Sequence, residues 1–93
     1  MRYTELREYI NPNKYFTVMF DKNGGTEVES HGESKLDAYT YASDMPGIGA
    51  VIIRYNRETK ATRIARADFN VDIARQQQLQ MKKTALNLVS NQP

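Results

Sequence analysis

Five cations fall between positions 54 and 66, namely Arg54, Arg57, Lys60, Arg63 and Arg66, with Glu58 the single acid among them. A guanidinium presents a planar fork of donors matched to phosphate and carboxylate, so a segment this rich in arginine offers a surface to a polyanion. Two uses are open for it. A two-stranded ribbon is narrow enough to enter a DNA major groove, where arginine reads guanine or grips phosphate. Alternatively, exposed strands carry long cationic side chains for solubility and to blunt pairing along a sheet edge.

Other chemistry has weaker support. Zinc needs about four Cys, His or carboxylate ligands, and His31 is the only histidine in a chain without cysteine. Asp21-Lys22-Asn23-Gly24-Gly25-Thr26 begins like a calcium loop. Thr26 then takes the position where the turn needs glycine, and Gly32 that of the bidentate glutamate, so a hairpin turn is the better reading. Gly47-Ile48-Gly49 follows a helix and precedes a strand, the reverse of the order that converges amides on a pyrophosphate. Ser30, His31 and Asp37 supply the residue types of a nucleophile, base and orienting acid, with nothing in their spacing to assemble them. The expectation is a protein without metal, cofactor or catalytic residue, and an enzyme built on His31 is the third-ranked reading.

The basic segment must be positioned by secondary structure. Tyr3, Leu6 and Ile10, three and four apart, predict a short N-terminal helix ended by Asn11-Pro12-Asn13. Tyr15–Phe20 is aromatic and β-branched and predicts a strand, with Phe16, Val18 and Phe20 on one face. Residues 21–25 form a reversal into a second strand over 26–30, where only Val28 looks inward. Ser34 and Asp37 resemble a capping box, placing a helix from there to about Met45. Pro46-Gly47-Ile48-Gly49 ends it. Ala50–Tyr55 is the strongest strand, and Asn56–Lys60 connects it to a fourth over Ala61–Arg66. Asp68 or Asn70 is placed to cap a final helix over about Val71–Leu88.

The order predicts one α+β domain over residues 1–93, with an arm (1–13) and two ββα units (15–45 and 50–90). Its four-stranded antiparallel sheet is expected to carry both helices on one face, leaving the other open. Arg54 and Arg63 then point to the open face. In the last helix Val71, Ala74, Gln78, Met81, Ala85 and Leu88 form a seam. Leu79, Leu86 and Val89 lie off it, so that packing on the sheet and a homodimer through this helix are both open. Tyr39 and Tyr41 fall on opposite sides of the first long helix, so at least one is expected to be exposed, either as an interface residue or, more often, as an ordinary amphipathic residue at the rim of a small core.

Composition narrows the classes further. Without cysteine there are no disulfides, and the expected location is cytoplasmic. The N-terminus lacks the apolar run of a signal peptide, and no membrane partner is expected. Residues 1–49 hold five Lys or Arg against eight Asp or Glu, a net charge of −3, whereas residues 50–93 hold eight against three, a net +5. The second half is the basic half.

In size and style, though in no motif residue, the chain resembles the small accessory proteins of phages and mobile elements. Some of these inhibit a host defence or transcription complex by occupying its surface. The resemblance implies a viral inhibitor acting as a non-enzymatic protein-binding module on a larger protein or nucleoprotein partner. The alternative is direct binding of DNA or RNA by the basic hairpin.

Overall fold

The computed structural model describes residues 11–44 and 47–91. The helix expected through Tyr3, Leu6 and Ile10 lies outside these residues. The chain runs β1 (Asn13–Phe20), β2 (Thr26–Ser30), α1 (Lys35–Asp44), β3 (Gly49–Asn56), β4 (Thr62–Phe69) and α2 (Arg75–Ser90). This is an α+β fold with one antiparallel sheet in the order β2-β1-β3-β4.

The turns form for local reasons. Asp21 Oδ1 accepts from the amides of Asn23 and Gly25, each at 2.8 Å, and Gly24 supplies the left-handed φ of +88°. The calcium-like sequence is thus a hairpin, with its first carboxylate engaged by the turn's own backbone. Asn56 organises the second hairpin likewise, its Oδ1 accepting from the amides of Glu58 and Thr59, with Lys60 at φ +64°. Ser34 Oγ accepts from the Asp37 amide at 3.1 Å and caps α1. The Ser34 amide donates to the His31 carbonyl, so half of the expected capping box is present. Beyond α1, Gly47 has φ +130°, and a Cβ there would stand 2.6 Å from the Phe20 carbonyl oxygen. Only glycine lets the chain drop this closely onto the end of β1.

The two helices lie on opposite faces of the sheet, which corrects the expectation of one covered and one open face. Phe16, Val18 and Phe20 of β1 pack with Val51, Ile53 and Tyr55 of β3 against Met81, Ala85 and Val89 of α2. Tyr15 and Ile52 point the other way and pack against Ala38 of α1. The reason is visible in β1 and β3, which carry near-continuous buried runs, Tyr15–Phe20 with Thr17 the one polar residue and Ala50–Ile53. Alternation sends every second side chain of such a run to the far face, which must also be covered.

Residues 70–74 precede α2, which begins at Arg75 rather than near Val71. Neither expected cap acts as one. Asp68 pairs with Arg66, the Asn70 side chain donates to the Gly47 carbonyl, and the residue before the helix is Ala74, which makes no side-chain cap. Val89, expected off the seam, is fully buried with Met81 and Ala85, and Leu86 packs partly against the same core. The interface expectation therefore fails for Val89, while Leu79 stays half exposed. Val71 of the expected seam is exposed as well.

Candidate anion-binding groove

α1 divides its face of the sheet into two strips of opposite charge. The helix lies over β1 and β3 and buries Ala38, with Ala42 partly covered beside it. Its flanks follow from the four-residue spacing: Lys35 and Tyr39 on one side, Asp37 and Tyr41 on the other. Toward β2 the strip is acidic. Glu27 and Glu29 pair with Met19 and Thr17 across the strands, so they share the α1 face with those residues. Toward β4 the strip is cationic and holds Arg54, Arg63 and Arg66.

A β-bulge assembles this cationic strip. Arg54 faces Arg63 directly in register, Ile53 faces Ile64, and Ile52 faces Arg66, leaving Ala65 as an extra residue in β4. In a regular strand, residues three apart point to opposite faces. The added residue at Ala65 restores Arg66 to the side of Arg63, while Ile64 still turns into the α2 core. Like charges directly opposite one another destabilise a sheet, and among the described residues neither Arg54 nor Arg63 has a carboxylate partner. Both side chains are exposed.

A hollow of about 560 Å³ lies beside these arginines and α1, lined there by Tyr15, Lys35, Tyr39, Arg54 and Arg63, and wraps around the β4 edge past Ala65 to Ile64 and Leu86 on the α2 side. A second hollow of about 300 Å³, bounded by Asn56, Thr59 and Ala61, shares Arg54 and Arg63 with the first. The Tyr39 ring holds two cations at the groove rim, Lys35 Nζ at 5.5 Å and Arg66 Cζ at 5.2 Å from its centroid. Such contacts restrict long side chains that would otherwise sample many rotamers. Arg66 Nε also bonds Asp68 at 2.8 Å, so its charge is partly met within the chain.

The five cations of the sequence motif thus separate. Arg54 and Arg63 form the floor, Arg66 stands at the rim, and Lys60 sits in the β3–β4 turn. Arg57 turns away to bond the Asn11 carbonyl and to pair with Glu33 at 2.6 Å, a structural tie between the hairpin and the rest of the sheet. Lys35, absent from the motif, joins the cationic strip. Its signal was the i, i+4 spacing to Tyr39.

On the acidic side, His31 Nε2 lies 2.8 Å from Thr17 Oγ1, which is fully buried beneath α1. The His31 and Tyr41 rings are 5.0 Å apart. Burial lowers the histidine pKa below its ordinary value, against the opposing pull of Glu29 and Asp37. The Tyr41 hydroxyl is raised by desolvation and by Glu29 and Glu27. Ser30 stands opposite Phe16 in the sheet and so shares its α2 face, whereas His31 bonds Thr17 on the α1 face. The sheet therefore separates the nucleophile from the base in the trio weighed from sequence.

Among the described residues there is no cluster of three or more His, Cys, Asp or Glu able to hold a metal ion, and no helix long and apolar enough to cross a membrane. No family model, no curated protein and no solved structure matches the chain.

Proposed function

We propose that this protein is a non-enzymatic binding module that docks on a larger nucleoprotein partner, with the groove beside α1 receiving the partner's phosphate backbone. One observation carries the reading. Arg54 and Arg63 are held directly opposite each other in the sheet, and among the described residues no acid pairs with either, an arrangement of like charges that an anionic ligand relieves. The cation-π contacts at Tyr39 add to it by setting Lys35 and Arg66 along the same groove.

The likeness in size and style to phage accessory proteins extends this reading to inhibition. A small domain that covers nucleic acid inside a host defence or transcription complex blocks it by occupancy, without chemistry of its own.

The test is fluorescence anisotropy of labelled nucleic acid of random sequence over a salt series. Three to four neutralised phosphates give a log–log slope of about −2 to −4. Absence of binding at low salt would refute the reading.

A further inference from the structure

We infer that the groove takes a single strand of nucleic acid, laid across the Arg54–Arg63 pair, and excludes a duplex. This inference rests on the proposed function and specifies its ligand.

The cations lie at the foot of a step. Their floor is the adjacent pair β3 and β4, about 5 Å apart, and α1, roughly 10 Å across with its side chains, forms the wall on one side. Lys35 and Tyr39 project from that wall over the floor. A duplex is a convex rod wider than this strip and meets the helix before its phosphates reach Arg54 or Arg63. Nor is there a ridge to enter a duplex groove. The arginines lie on the face of the sheet that carries α1, and of the two cations nearer the hairpin tip, Arg57 is tied to Glu33. This removes the geometry in which a basic ribbon fills a DNA major groove.

The hollows suit an extended ligand. Both are bounded by Arg54 and Arg63, so they form one track passing over the pair. From Ile52, opposite Arg66, to Asn56 at the turn is about 13 Å along β3 at 3.3 Å per residue. At a rise of 3.4 Å per stacked nucleotide this corresponds to about four nucleotides. Phosphates contact Arg54, Arg63 and Lys35, while the half-buried Tyr39 ring, beside the buried Tyr15, gives the track an aromatic side. Recognition of this kind, by backbone charge and aromatic surface, tolerates any base sequence.

The experiment compares a single-stranded 12-mer of non-pairing sequence with a 12-base-pair duplex, by anisotropy with the full chain at one low salt concentration. Charge density alone favours the duplex, so a preference for the single strand diagnoses the step. The expected result is at least tenfold tighter binding of the single strand, with affinity levelling off in oligonucleotides longer than about four to six nucleotides. Arg54→Glu with Arg63→Glu, shown to be folded by an unchanged thermal melt, should lose the binding. Equal or tighter duplex binding overturns the single-strand inference and leaves the proposed docking function standing. Binding of neither overturns both. Single-strand binding that survives the double substitution places the ligand elsewhere and also overturns the inference.

Discussion

The two helices cover opposite faces of one sheet and do different work. α2 buries Met81, Ala85 and Val89 in a cluster that includes Phe16, Val18, Phe20, Val51, Ile53 and Tyr55. α1 fully buries Ala38 alone and directs Leu36, 75% exposed, to solvent. Most of the apolar burial that drives folding therefore lies on the α2 face. On the α1 face Tyr15, Met19, Ala50 and Ile52 of the sheet are buried as well, and charged strips flank the helix. If the proposed function holds, stability and binding fall on opposite faces of one sheet, so substitutions on one face should leave the other property largely intact.

The largest effect expected from this division is on the α2 face. Met81→Ala should lower unfolding free energy by about 2 to 5 kcal/mol through lost contacts and a residual cavity. Leu36→Ala on α1 should stay within about 0.5 kcal/mol. Urea titrations of both variants measure the difference, and equal losses would break the comparison.

A smaller effect of opposite sign is expected in the groove. Arg63→Glu places an acid directly across from Arg54 and replaces a repulsive cross-strand pair with an attractive one. Stability should rise by roughly 0.2 to 1 kcal/mol while nucleic-acid affinity falls. A variant both more stable and weaker in binding is the signature of a residue retained for its ligand. A loss of stability on Arg63→Glu would show that the guanidinium instead supports the fold.

The smallest effect is on the acidic strip. Burial lowers the folded-state pKa of His31 below the ordinary 6.5. As pH falls, the unfolded chain therefore takes up this proton first. The contribution of the neutral ring is complete above about pH 6.5 and is lost as pH falls through the folded-state value. His31→Gln should flatten the decline in urea midpoint between pH 7.5 and 5.5 relative to the parent. Parallel profiles would remove His31 from the account.

Much of the fold was legible in residue order. Asp21–Gly25 and Asn56–Lys60 mark the hairpins with residues that bond their own backbone or accept positive φ, and Ser34 marks the start of α1. The assignment of helices to faces was misread although its signal was present. Ala50–Ile53 is apolar without interruption and Tyr15–Phe20 is broken only by Thr17, which is the pattern of strands covered on both sides. The start of α2 was misplaced because Asp68 and Asn70 have the right types for caps, yet are taken by Arg66 and Gly47. The site was half legible. Arg54 and Arg63 follow from alternation, and Tyr39 and Tyr41 separate across α1 as their spacing requires. The bulge at Ala65 had no local signal in Ala61–Arg66, because it is set by the need to bury Ile64, Ala67 and Phe69 on one face of a single strand. Without it Arg66 could not be placed beside Arg63.

The most direct test of the central claim is the salt dependence of nucleic-acid binding measured in parallel for the parent and for the Arg54→Glu, Arg63→Glu double variant, with thermal melts of both. The account predicts a slope of about −2 for a single strand contacting Arg54, Arg63 and Lys35, at least a hundredfold loss of affinity in the double variant, and no fall in its melting temperature. Unchanged affinity and slope in a folded double variant would contradict it, and would mean that the paired arginines serve the surface of the sheet rather than a ligand.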